Sequence, residues 1–320
     1  MSRKQQIDPR KRVTEAQLDK LCEIRNNGKT HKDFELSPHR KTYRIKLTQE
    51  EHLQLVKFKD ELENNRVTKR LFFDIETSPM IVYSWRIGYN LNIPYGNIIE
   101  DWKIITICYK WEGDSTVYSL KWDKKHNDKQ LLIDFIKIAN QADEIIGHNG
   151  DRFDIKKVRT RCIFHRVPMF PKYRTLDTLK KARSGFAFDS NKLDAIAKFL
   201  GVGAKLEHEG FEMWVKCMHN DEDALKKMIE YCMVDVVVLE DVYTAMQHYI
   251  KPNSHAGVAN GGTKYSCPIC GNEEIELIKN DVTEKGTISR VVKCKKCTHH
   301  YNISNLSYMK YLTRGAEFTL

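Results

Sequence analysis

Leu71-Phe72-Phe73-Asp74-Ile75-Glu76-Thr77 is the stretch from which the rest of the chain can be read. A short apolar run interrupted by acids fits a central strand whose end opens into a site. Positions i and i+2 of a strand project to one face, so Asp74 and Glu76 stand side by side while Ile75 packs behind them. Two other segments place acids in apolar surroundings. His148-Asn149-Gly150-Asp151-Arg152-Phe153-Asp154 runs from a buried strand into a helical pattern, and Tyr231-Cys232-Met233-Val234-Asp235 lies inside a long one. Positions i and i+4 share a helix face, which aligns Tyr231 with Asp235 one turn apart. Met228, Ile229, Val236 and Leu239 make this helix largely buried. An uncompensated carboxylate there costs on the order of several kcal/mol. A Mg²⁺ or Mn²⁺ ion shared with Asp74 and Glu76 removes that cost, because such ions accept a few carboxylates and keep positions for water and phosphate oxygens.

Working outward, strands are predicted over 102–111 and 116–122 and helices over 130–141 and 153–167, with a short buried strand at 144–148 between the helices. Short helices follow at 176–183 and 193–200, the second stopped by Gly201-Val202-Gly203, and a long helix covers 221–249. Strands followed by alternating helix and strand predict an α/β fold, a mixed central sheet flanked by helices. This unit spans 69–250. Before it, residues 1–68 read as a basic, partly helical extension. Leu18, Leu21, Cys22 and Ile24 form one apolar stripe there, and Thr48 to Glu51 fit a capping box ahead of Leu53 and Leu55. After it, 251–264 is rich in Gly, Asn and Ser and reads as a flexible linker to a cysteine-bearing unit over 265–320.

The net charge is +10, and it divides into +7 over residues 1–70, −1 over 71–250 and +4 over 251–320. Basic flanks around an acidic centre suit a polyanion held by arms and attacked at metals. No apolar run reaches membrane-spanning length and the N-terminus lacks a signal-peptide core, so a cytoplasmic protein is expected, in a host cytoplasm if the gene is viral.

Together the three acidic motifs resemble those of the DEDD superfamily of 3′–5′ exonucleases, in the branch that carries tyrosine. Phe73–Thr77 is similar to the first family motif, His148–Asp154 to the second and Tyr231–Asp235 to the third. Polymerase proofreading domains and stand-alone phage nucleases share this layout, and Arg174-Thr-Leu-Asp177-Thr178 also suits it. The resemblance implies an RNase H-like fold and a two-metal hydrolysis of phosphodiesters at 3′ ends. Asp74 would bridge the two Mg²⁺ or Mn²⁺ ions, Glu76 and Asp235 would ligate one, and Asp154 would hold the other. Tyr231 would orient the attacking water, since an ordinary tyrosine titrates far above neutral pH and is a poor base. Asn149, Phe153 and Thr77 would contact the terminal nucleotide. The implied partner is nucleic acid with single-stranded or frayed 3′ ends, DNA favoured over RNA. An RNA exonuclease, a structure-selective nuclease and a non-catalytic nucleic-acid adaptor are the alternatives.

Cys267-Pro-Ile-Cys270 and Cys294-Lys-Lys-Cys297 form a second signal. Two such knuckles separated by a hairpin-length segment supply four thiolates to a tetrahedral structural Zn²⁺, as in a zinc ribbon. Lys293, Lys295, Lys296, His299, His300 and Tyr301 cluster beside the second knuckle. That surface suits nucleic acid, and either it or the N-terminal extension is expected to meet a replication or repair protein.

Overall fold

The structure is a computed structural model that describes residues 10–13, 18, 20–22, 24, 36–37, 42–48, 50–55, 68–88, 90–203 and 210–314. The N-terminal part contains more than helix. Strands β1 (Arg10–Val13), β2 (Leu36–Ser37) and β3 (Thr42–Lys46) form an antiparallel sheet in the order β1-β3-β2. These strands are short and rich in Arg and Lys, so their alternation is too brief to register in the sequence. The anticipated helical stripes do meet: Leu18, Leu21 and Leu55 are buried together, with Cys22, Ile24 and Leu47 against them. Thr48 N–H donates to Glu51 Oε2 at 2.8 Å and Glu51 N–H to Thr48 Oγ1 at 3.2 Å, the reciprocal pattern of a capping box.

The central sheet contains β4 (Arg70–Thr77), β7 (Ile104–Trp111), β8 (Tyr118–Lys121), β9 (Glu144–Gly147) and β10 (Thr175–Asp177). Between β4 and β7, β5 (Ile81–Val82) and β6 (Ile98–Glu100) pair as a separate ribbon. The central order is β10-β9-β4-β7-β8, with β10, β9 and β4 parallel and β7 and β8 antiparallel to their neighbours. Helices α1 (Lys129–Ala139) and α2 (Asp154–His165) belong to the core that covers one face of the sheet. The other core contains α3 (Thr178–Gly185), α4 (Leu193–Leu200) and the 25-residue α6 (Glu222–Met246), and α5 (Phe211–Met218) packs on α6. The mixed sheet flanked by helices is the fold expected from the sequence. Helix α5 is not expected from the sequence, and Leu176 and Asp177, expected at the start of a helix, instead end β10.

Strand β4 is shared between the two cores by simple alternation. Leu71, Phe73 and Ile75 enter the core containing α1 and α2, and Phe72 enters the core containing α6. Asp74 and Glu76, at i+2 and i+4 from Phe72, therefore face α6. The helix is held there by Met228, Cys232, Val236, Leu239, Val242 and Met246, all buried. Each such side chain contributes roughly 1.5–3 kcal/mol. Arg70 ties the strand to both neighbours, 2.9 Å from Glu112 and 3.2 Å from Glu144, with Arg70 and Glu144 buried.

Residues 251–264 differ from the expected flexible linker. They carry α7 (Ala256–Ala259), Ser254, Ala256 and Gly257 are buried, and Thr68 Oγ1 donates to Asn260 Oδ1 at 2.8 Å. The glycines serve close approach rather than mobility: a Cβ on Gly257 would lie 2.0 Å from Ser266 Oγ. Beyond them β11 (Ile275–Val282), β12 (Ile288–Cys294) and β13 (His300–Ser304) form an antiparallel sheet in that order, followed by α8 (Asn305–Leu312). Among the described residues, no helix is long and apolar enough to cross a membrane.

Candidate active site

Three elements converge at the end of β4. Its pairing with β9 covers only Arg70 to Phe72, so the strand's far end lies beyond its parallel neighbour. On the other side the register with β7 shifts between Glu76 and Thr77, an irregularity that re-aims the strand end. Here the structure brings together carboxylate oxygens of Asp74, Glu76 and Asp235, all within 4.8 Å of one another. Asp74 and Glu76 are partly exposed and Asp235 is buried. Cys232, one residue after Tyr231, lays its sulfur 3.5 Å from the Asp74 carbonyl and 3.8 Å from Asp74 Oδ2, which locks α6 to the strand. Tyr231 is half-buried one turn before Asp235 on the same helix.

Asp154 stands outside this tight group of oxygens but beside it. It opens α2, is 4% exposed, and accepts from the Ile75 N–H, between Asp74 and Glu76 in the chain. Burial, with a smaller push from the Asp177 charge, raises its carboxyl to about 7 against the backbone N–H donors that favour the ionised form. Four acids thus surround one strand end, and at least one of them is hard to ionise without a cation. Hard oxygen donors in this arrangement fit Mg²⁺ or Mn²⁺.

The loop that carries Asn149 is shaped by a residue whose role was not assigned from sequence. Asp177 caps α3 by accepting from Leu179 N–H at 3.0 Å, and the same oxygen accepts from Asn149 N–H at 2.9 Å. Asn149 adopts φ 65, and Gly147 and Gly150 approach so closely that a Cβ on either would lie within 3.2 Å of the other's Cα. His148 is held on both sides, Nδ1 at 2.9 Å from Thr178 Oγ1 and Nε2 donating to the Asn191 carbonyl at 3.0 Å. That is a structural posture rather than that of a base facing substrate. Phe153 is 40% exposed, with the Lys157 ammonium 5.5 Å from its ring centre. Thr77 ends β4 beside the register shift.

A cleft of about 780 Å³ leads to the acids, lined by Asp74, Asp235, Asn149, Asn191, Arg183 and Lys192 among others. Arg183 and Lys192 were not singled out in the sequence. They come from α3 and the loop before α4, and only the fold turns them toward the carboxylates.

The four cysteines close a second group. Cys267 Sγ lies 3.5 Å from Cys297 Sγ and Cys270 Sγ 3.6 Å from Cys294 Sγ, with all four sulfurs within 4.8 Å. A tetrahedral Zn²⁺ with bonds of about 2.3 Å requires sulfur separations of about 3.8 Å. Ile269 N–H points to Cys267 Sγ at 3.4 Å and Cys297 N–H to Cys294 Sγ at 3.5 Å. Burial raises the Cys267 and Cys297 thiols. For Cys294 burial is outweighed by N–H donation from Cys297 and Lys296, which lowers it to about 7. His299 stays outside the group, its Nδ1 donating to the His248 carbonyl at 3.2 Å.

Residues 100–247 match the family described as the RNase_H superfamily, just under half of the 320-residue chain. The span holds Asp154, Tyr231 and Asp235 but not Asp74 and Glu76. Among solved structures the chain is similar to the family B DNA polymerase from the hyperthermophilic archaeon Pyrobaculum calidifontis, at 15% identity and a TM-score of 0.45. That likeness covers 57% of this chain and only 25% of the polymerase. No curated protein sequence matches.

Proposed function

We propose that the chain is a metal-dependent 3′–5′ exonuclease. The observation that carries this reading is the group of Asp74, Glu76 and Asp235 oxygens within 4.8 Å at the open end of β4, with Asp154 against the same strand. The RNase H-like fold supports a nuclease of some kind, and the tyrosine four residues before Asp235 supports the exonuclease branch. Asp74, Glu76 and Asp235 would hold one Mg²⁺ or Mn²⁺, and Asp74 with Asp154 a second. Two such ions, when bound, stabilise charge on the attacking and leaving oxygens of an in-line displacement.

The chain's own groups do the rest. Tyr231 orients the attacking water through its hydroxyl. Asn149 offers a side-chain amide to the terminal sugar, Thr77 flanks it, and Phe153 presents an exposed ring for stacking. Arg183 and Lys192 supply positive charge along the cleft, which offsets the repulsion between a polyanion and four acids. The four cysteines would hold a structural Zn²⁺.

A single-stranded DNA labelled at its 5′ end, and its RNA counterpart, test the reading. With Mg²⁺ or Mn²⁺ both labels should report stepwise shortening from the 3′ end, faster on DNA. Asp74→Asn should slow it by about 10³-fold or more, roughly 4 kcal/mol of barrier. Undiminished shortening by that variant would sink the assignment.

A further inference from the structure

A second cleft, of about 850 Å³, lies away from the acids. It lies where the segment following α6 meets β13 of the cysteine-bearing unit. Lys251, Lys264, His248, His255, His299 and His300 line it, and no carboxylate does so among the described residues. In a chain with 43 acidic residues, a cleft this size without one is a selective surface. Neither lysine is drawn into an ion pair among the described residues. The Ser254 hydroxyl in the same wall is buried and has no hydrogen-bond partner among them. Tyr249 stands at the cleft 79% exposed, a ring without cover. Cations, hydroxyl and N–H donors with an exposed aromatic are the elements of a single-strand site, in which phosphates are held by charge and a base stacks on the ring.

We infer that this junction cleft binds the phosphodiester backbone of a single-stranded nucleic acid, as a second site distinct from the acidic one. That the bound strand runs on to the acids rests on the nuclease reading; the binding itself does not. Helix α6 connects the two places. Asp235 and Met246 are eleven residues apart on it, about 17 Å at 1.5 Å per residue. A stacked strand rising 3.4 Å per nucleotide spans that distance in about five nucleotides. The cleft therefore engages the strand several nucleotides away from the end being trimmed, and gives the enzyme a grip on long substrates that short ones cannot use. It also gives the cysteine-bearing unit a task, since β13 and the His299–His300 pair form one wall.

The test measures binding of a 5′-labelled twenty-nucleotide thymidine strand by fluorescence anisotropy across a range of NaCl concentrations. It uses the full chain with Asp74→Asn so that the strand survives. Adding Lys251→Gln and Lys264→Gln should reduce the slope of log affinity against log salt by about 1.4, at about 0.7 per phosphate contact. Tyr249→Ala should weaken binding several-fold with the slope unchanged, while zinc content and melting temperature stay as in the parent. An unchanged slope and affinity in the lysine variant overturns the proposal. So does a site that takes only inorganic phosphate, seen as lysine-dependent phosphate binding with no lysine effect on the strand. With the catalytic acids intact, the lysine substitutions should leave hydrolysis of a trinucleotide unaltered and raise KM for the twenty-mer. A parent that binds the strand through these lysines but hydrolyses nothing would remove the nuclease reading and leave the cleft standing.

Discussion

The acidic group and the cysteine group are assembled over very different stretches of chain. Cys232 reaches Asp74 across a sequence separation of 158, whereas Cys267 meets Cys297 across 30. The acids are gathered by a core that exists without them: Phe72, Val236, Leu239 and Val242 bring α6 onto β4 whatever stands at 74 and 235. The cysteines sit over a much smaller core, chiefly Tyr265, Ile275, Val292 and Ile303, in a unit too small to be stable on apolar burial alone. One group depends on its fold, and the other is depended upon. An ion at the acids should therefore matter for chemistry and an ion at the cysteines for folding.

Cys267→Ser strikes this contrast hardest. Structural zinc in small domains contributes roughly 10 kcal/mol or more. The variant should lose zinc and expose residues beyond 265 to protease, while the central sheet still melts cooperatively. Intact protease resistance across 265–314 would contradict the asymmetry.

A second substitution asks where the stability of the larger unit resides. Asp128 is fully buried and accepts from Arg161 Nε at 2.7 Å, Arg161 Nη2 at 2.8 Å and Ile104 N–H at 3.0 Å. Burial opposes its ionisation, but the Arg161 and Ile104 donors outweigh it and hold the carboxyl below its ordinary value of 3.8. A lowered native pKa contributes stability that is present above the unfolded value and is lost as pH falls through the native one. Asp128→Asn should cost about 3 kcal/mol at pH 7 in chemical denaturation, and the cost should shrink below about pH 4. A deficit of constant size from pH 7 to pH 3 would show that the charge is not what stabilises.

The smallest expected effect falls on Tyr231. Tyr231→Phe should lower kcat about tenfold, roughly 1.4 kcal/mol, with the dependence on metal concentration unchanged. A shifted metal dependence would mean that the hydroxyl supports the ions rather than the water.

Legibility in the sequence followed the range over which each feature is built. Asp74 and Glu76 at i and i+2, Tyr231 and Asp235 at i and i+4, and the two Cys-x-x-Cys knuckles are local periodicities that report their own geometry. Strands β4, β7 and β9 of the central sheet are legible because they are apolar runs, whereas the three-residue β10 is too short to show a strand period of its own. Asp177 was not legible as the anchor of Asn149, because that role exists only where β10 and β9 lie side by side. Residues 251–264 are ambiguous in sequence because glycine marks both mobility and close packing, and it is neighbours such as Ser266 against Gly257 that distinguish the two. The junction cleft draws its walls from 248–255, Lys264, Pro268 and residues between 299 and 307, and no short window of sequence contains them all.

The central claim is that the acids on β4 and α6 form a divalent-cation site. Calorimetric titration of Mn²⁺ into the zinc-loaded protein measures this directly, with Asp235→Asn alongside. The account predicts binding by the parent and a loss of at least tenfold in affinity in the variant, with both proteins melting at similar temperatures before Mn²⁺ is added. Equal Mn²⁺ affinity in the two would contradict it.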